Sequence, residues 1–276
     1  MEKINDAYVL RHETKAGFEQ NYLFMSDIHF DAIHCDRVQL KADLDLALEL
    51  NAKILMFGDI YDAMGGKYDP RTSKDDIREE YNRGAYFDDI TYDFVKFMKP
   101  YKDNIIFISD GNHESSVKKR HEIDLVERTI MLLNTKILHG TYSGFIRFIF
   151  RAESDGHGMS KVLYYTHGSG GNAPVTKGAI KTNRRQDMFQ ADWYLSGHIH
   201  TEYDLPRPQS RLNQNNKVES IKCEHWQLGC YKNDHLTGGW ADQKEFPSPN
   251  IGGRVLQLFH DSNSKGSVKY RSFRTV

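Results

Sequence analysis

Tyr22-Leu23-Phe24-Met25-Ser26-Asp27-Ile28-His29 and Ile54-Leu55-Met56-Phe57-Gly58-Asp59-Ile60-Tyr61-Asp62 decide how this chain is read. Each is an apolar run that leads into a polar motif. An unbroken apolar run this short suits a strand buried on both faces. Ile105-Ile106-Phe107-Ile108 repeats the arrangement and continues to Gly111-Asn112-His113-Glu114. Between the first two runs, Asp36 has the character of a helix N-cap, with Gln39 as its box partner. Leu40, Leu44, Ala47 and Leu48 follow at helical spacing and end near Asn51. A second helix is expected from Tyr86 to Met98, stopped by Pro100. Strand, helix, strand, helix, strand at this spacing implies parallel pairing with right-handed crossovers. The polar motifs then gather at the carboxyl ends of the strands, where open α/β sheets bind ligands.

After a helix around Ile123 to Asn134 the pattern changes to aromatic and β-branched runs. Strands are expected at Phe145 to Phe150, Val162 to Tyr165 and Trp193-Tyr194-Leu195. The last two deliver His167-Gly168 and Gly197-His198-Ile199-His200. Ile221 to Leu228, Val255 to Phe259 and Val268 to Phe273 suggest a second, more antiparallel sheet. The expected fold is α/β, with two mixed β-sheets packed as a sandwich flanked by α-helices. Residues 1–276 are read as a single domain, with long insertion loops at about 63–84, 206–217 and 231–253. Loops that begin at the motif rim are candidates for a lid or for substrate contact.

The chain has 276 residues and a formal net charge of -1, so no global field draws it to nucleic acid or to an anionic membrane. Its 39% hydrophobic content is that of a globular protein rather than a disordered one. Cys35, Cys223 and Cys230 form no Cys-x-x-Cys pair and leave an odd thiol, which fits a reducing compartment. Met1 to Lys15 has no apolar signal core, and no run approaches the ~20 apolar residues of a membrane span. A cytoplasmic protein is expected.

Together the motifs supply two carboxylates, one amide and several imidazoles, the donors that a pair of divalent cations needs. Asp27 and His29 are expected to lie on one side of an extended segment and to chelate one ion. Asp59 has oxygen lone pairs enough to bridge two ions, and Asn112 offers a neutral carbonyl oxygen. His167 and His198 offer imidazoles, and His200 can return to the first ion. Of the thirteen histidines, His12, His34, His121, His139, His157 and His260 read as surface or packing residues.

In this order, from Asp27 to His200, the motifs resemble those of the calcineurin-like metallophosphoesterase family. The resemblance implies one metal on Asp27, His29, Asp59 and His200, and another on Asp59, Asn112, His167 and His198. It implies a metal-bridging hydroxide that attacks phosphorus, with His113 as general acid and Asp62 orienting it. Glu114 is read as structural. Mixed nitrogen and oxygen donors suit manganese, iron or zinc better than magnesium or calcium, and manganese is the first expectation for activity in vitro.

The substrate is less sharply marked. In phosphoprotein phosphatases of this superfamily, arginine forks stand where this chain has Ala63 and Asp110. Gly58-Asp59-Ile60-Tyr61-Asp62 looks more like the nuclease and phosphodiesterase branches. A phosphodiester is therefore preferred: DNA, RNA or a nucleotide. A phosphomonoesterase acting on phosphoproteins or small molecules is the enzymatic alternative, and a phosphate-binding scaffold without turnover is the other. Lys177, Lys181, Arg184 and Arg185, after the His167 motif, are the cationic candidates for substrate contact.

Overall fold

The structure, a computed structural model, describes residues 1–68, 76–152, 158–171, 176, 178–235, 245–260 and 268–276. In chain order the first half comprises β1 (Glu2–Ile4), β2 (Ala7–Thr14), β3 (Glu19–Met25), α1 (Arg37–Glu49), β4 (Lys53–Phe57), α2 (Tyr86–Met98), β5 (Ile105–Ser109), α3 (Asn112–His121) and α4 (Leu125–Leu133). The second half comprises β6 (Leu138–Gly140), β7 (Ser143–Ala152), β8 (Gly158–Thr166), α5 (Ala179–Met188), β9 (Trp193–Ser196), β10 (Tyr203–Pro206), β11 (Gln209–Leu212), β12 (Val218–Ile221), β13 (Glu224–Gln227), β14 (Arg254–His260) and β15 (Val268–Arg274).

One six-stranded sheet runs β15-β14-β3-β4-β5-β6. Its centre, β3, β4 and β5, is parallel, with α1 and α2 in the crossovers, as the spacing predicts. Local chemistry sets both helices. The Asp36 carboxylate caps α1 by accepting from Gln39 N at 2.9 Å. The box is not closed, however, because the Gln39 amide donates to Asp43 at 2.7 Å instead. α2 gives way to a 3₁₀ turn that contains Pro100.

The other large sheet is seven-stranded, in the order β1-β2-β7-β8-β9-β13-β10. Only part of the sequence expectation for it holds. β13 joins this sheet, parallel to β9. β14 and β15 do not: β14 pairs antiparallel with β3, and β15 lies outside it. A hydrophobic edge on β3 would otherwise stand open. β14 covers it, turning Leu256 and Leu258 into the space between the sheets and Val255 towards the helices. β11 and β12 form a separate hairpin across the second long connection.

Each central strand divides its side chains by period two. Tyr22, Phe24, Leu55 and Phe57 face the seven-stranded sheet, where they meet Tyr8, Phe148, Tyr165, Trp193 and Trp226. Leu23, Met25, Ile54 and Met56 face α1, α2 and α4. Truncating one of these aromatic side chains to alanine costs about 3–5 kcal/mol. The sandwich flanked by helices is thus the observed architecture. β3, β4, β5, β8 and β9 each lead into one of the five motifs. No helix among the described residues is long and apolar enough to cross a membrane. Cys35, Cys223 and Cys230 are free and buried.

Candidate metal centre

Beyond β3 and β4 the two chains stay in register: Asp27 N donates to Gly58 O at 3.1 Å and His29 N to Asp59 O at 3.0 Å. The segment is not extended, contrary to the sequence expectation. Asp27 has φ 53°, His29 φ 47° and Asp59 φ 49°, and His198 and His200 are left-handed as well. Such conformations cost non-glycine residues of order 1–2 kcal/mol each, and they cluster where a site over-determines them. They bring Asp27 and His29 together by turning the backbone rather than by alternation along a strand. Two glycines permit the close approach. A Cβ on Gly111 would collide with the Asp59 carboxylate, and one on Gly197 with the Ser26 hydroxyl and the Asp27 carboxylate.

The side chains fall into two groups whose ligand atoms lie within 4.8 Å of one another: Asp27, His29 and His200, and Asp59, His167 and His198. In the first, Asp27 Oδ1 stands 3.4 Å from His200 Nε2 and 4.0 Å from His29 Nε2. The two imidazole nitrogens are 3.2 Å apart. In the second, His167 Nε2 is 3.0 Å from Asp59 Oδ2 and 3.1 Å from Asn112 Oδ1. The groups adjoin, since His167 Nε2 is also 3.8 Å from Asp27 Oδ1. Asp59 Oδ1 accepts from His113 N at 2.9 Å, which leaves Oδ2 turned to the imidazoles.

Buried partners hold these groups in place. Asp27 Oδ2 accepts from Ser26 Oγ at 2.6 Å and from His198 N at 2.8 Å. His167 Nδ1 is 3.0 Å from Phe57 O, so its proton belongs there and Nε2 faces the cluster. Tyr142 packs edge-on to that ring, with centroids 5.5 Å apart. Glu114 is structural, as expected: its carboxylate accepts from Asp59 N, Tyr61 N and Gly111 N. His113 meets Asp62 differently from the expectation. His113 Nδ1 contacts the Asp62 backbone carbonyl. The Asp62 carboxylate instead lies 2.8 Å from His29 Nδ1 and 3.0 Å from Lys232 Nζ.

Burial pushes His29 down to about 4 despite Asp62 beside it. Burial would also lower His167, but the Asp59 and Asp27 carboxylates outweigh it and raise the imidazole to about 10. Without another cation, that negative potential holds a proton on His167. Asp27 Oδ1 is fully buried and has no hydrogen-bond partner, while three imidazole nitrogens surround it. A buried acceptor without a donor is costly. A divalent cation between these atoms satisfies it, so the donor set fits metal.

Two of the cationic candidates are tied to serines that adjoin the motifs. Lys181 donates to Ser169 O at 2.5 Å and Arg185 to Ser196 Oγ at 2.5 Å, while Arg184 is exposed. Lys177 lies outside the described residues. Ser26, Tyr142 and Lys232 lie outside the five motifs, and the structure adds them to the site. Ser26 adjoins a motif and had a local signal. Tyr142 and Lys232 are brought in only by the fold.

Comparison with protein-family models gives no match, and comparison with curated proteins gives none. Among solved structures the chain is similar to a metallophosphoesterase from Sphaerobacter thermophilus. Identity is 13%, over 93% of this chain and 89% of that one, with a TM-score of 0.39. It is similar to Vps29 of Chaetomium thermophilum at 10% identity, covering 92% and 96% of the two chains, with a TM-score of 0.35. It is also similar to GAP50, described as the anchor in the inner membrane complex of Plasmodium, at 11% identity over 93% and 89%, with a TM-score of 0.42. With overlap this low, the architecture rests on the strand order of the chain itself.

Proposed function

We propose that this chain is a metal-dependent phosphoester hydrolase that prefers a phosphodiester of the nucleic-acid or nucleotide class. One observation carries the proposal: the buried Asp27 Oδ1, which forms no well-aligned hydrogen bond although the His29, His167 and His200 nitrogens surround it. In this reading Asp27, His29 and His200 hold one divalent ion, and Asn112, His167 and His198 hold a second. Asp59 is shared, Oδ2 being the oxygen turned to the imidazoles. Bound there, the ions supply Lewis-acid polarisation of a phosphoryl group and bring the pKa of water towards neutrality. Manganese is the first candidate for activity in vitro, and iron and zinc suit the same donors.

The chain's own groups supply the rest. His113 directs Nδ1 to the Asp62 carbonyl, which leaves Nε2, 3.7 Å from Asp59 Oδ2, as the nitrogen presented to the site. Protonated there, it donates to the departing ester oxygen. Asp62 positions His113 through its backbone and His29 through its carboxylate. Against a phosphoprotein phosphatase, Ala63 is buried and Asp110 pairs with His139 at 2.8 Å, so neither position offers a fork for a phosphate.

The test is hydrolysis with manganese of bis-p-nitrophenyl phosphate and of p-nitrophenyl phosphate, followed by single- and double-stranded DNA. The diester is expected to turn over faster. Strong preference for the monoester would contradict the substrate class. Hydrolysis of neither, with metal bound, would leave a phosphate-binding scaffold.

A further inference from the structure

Lys232 belongs to no motif. It sits after β13 in the segment 228–233, which threads between the first and last motifs. Leu228 N donates to Ser196 O at 2.7 Å, and Tyr231 N to Asp27 O at 2.9 Å. Asp36 N donates to Tyr231 O at 2.7 Å, and Asn233 N to His34 O at 2.9 Å. The fully buried Tyr231 anchors the segment through its hydroxyl, 2.6 Å from Asp43 Oδ2. Lys232 is therefore fixed at both sides, and its ammonium is delivered inward. Its side chain is 13% exposed, with Nζ 3.0 Å from Asp62 Oδ1. The same oxygen lies 2.8 Å from His29 Nδ1.

A buried carboxylate is tolerated when a cation and hydrogen-bond donors share its charge. Asp62 has a second carboxylate close by, because Asp31 accepts from Asp62 N at 2.7 Å and from Ala63 N at 3.0 Å. Lys232 is the lysine paired with the Asp62 carboxylate. We propose that Lys232 is a positioning residue, which through the Asp62 carboxylate keeps the His29 proton on Nδ1 and turns the Nε2 lone pair towards Asp27 and His200. His29 Nδ1 lies 2.8 Å from Asp62 Oδ1 but is too poorly aligned to count as a hydrogen bond. Such contacts tighten when a site is filled. A histidine that ligates a metal gives its other N–H to a carboxylate or carbonyl, and loss of that partner typically lowers metal affinity 10–100-fold. The inference rests on the hydrolase reading only for what His29 would hold. The arrangement of Lys232, Asp62 and His29 is a property of the chain.

The experiment starts with the unmutated, metal-free protein. Long-range 1H–15N correlation of the imidazoles is expected to find the His29 proton on Nδ1. Lys232→Met is expected to give mixed tautomers at His29. It should also weaken one of two manganese-binding events by about tenfold or more in calorimetry. Lys232→Arg should restore both. An Nε2–H His29 in the unmutated protein overturns the proposal, whether or not Lys232→Met folds. So does a folded Lys232→Met protein with an unchanged tautomer and unchanged manganese affinity. Because the tautomer is read without metal, failure to take up manganese would sink the hydrolase reading and leave this result to stand or fall separately.

Discussion

At Gly111 the Asp59 carboxylate occupies the space where a side chain would begin. Gly111→Ala is therefore expected to displace Asp59 and to lower manganese affinity about tenfold or more, as loss of a supporting contact does. Calorimetric titration checks this, and unchanged affinity would show that Asp59 needs no such packing. His113→Ala should behave in the opposite manner. Both ions should stay, while turnover of an unactivated diester falls about 10²–10⁴-fold. An activated nitrophenyl ester should suffer least, and equal losses for the two esters would remove the general-acid role. These residues could be read from the sequence because the motifs place glycine, carboxylate and imidazole side by side. The left-handed turns at Asp27 and His29 could not, since an apolar run followed by Asp-x-His has the same pattern whether it stays extended or curls. Lys232 was invisible for another reason: nothing near it in the chain marks it, and only folding brings it to Asp62.

Among the elements, those with local signals were legible. Asp36 starts α1, Pro100 sits just beyond α2, and four apolar residues make each central strand. Strand partnership was not legible for β13, β14 and β15. Similar apolar runs suit either sheet, and the choice is made by which edge remains open, a non-local matter. The short β6 and the mixed-charge β1 and β2 gave too little pattern to read. Once β14 lies beside β3, its Arg254 reaches the seven-stranded sheet's last strand. The guanidinium is buried, bonding Glu202 at 3.0 Å, Asp204 at 2.5 Å and Ser272 Oγ at 2.9 Å. This brace joins the two sheets next to His200. Arg254→Met leaves Glu202 buried, with Arg274 alone as its cation, at 3.1 Å. It should cost about 1–3 kcal/mol, measured by urea denaturation. A loss below about 1 kcal/mol would mean that solvent replaces the pair.

Across the whole molecule, two buried imidazoles outside the cluster couple stability to pH. Burial pushes both His12 and His225 down to about 4. His12 is wedged between Phe148 and Phe150, with Nε2 2.5 Å from Tyr22 OH. In the unfolded chain an imidazole binds its proton near pH 6.5, so there the unfolded state takes up protons first. Their contribution is full above about pH 6.5 and is lost as pH falls towards 4, by at most about 3 kcal/mol each. His12→Gln should flatten that decline in denaturation measured from pH 7 to pH 4.5, and an unaltered slope would clear His12. The two sheets bring five motifs to one rim, where the proposal puts a pair of cations. Elemental analysis of manganese-treated protein, with anomalous scattering to locate the ions, tests it most directly. Two ions per chain are predicted, one beside Asp27, His29 and His200 and one beside Asp59, His167 and His198. Fewer than two, or ions bound elsewhere, would contradict it.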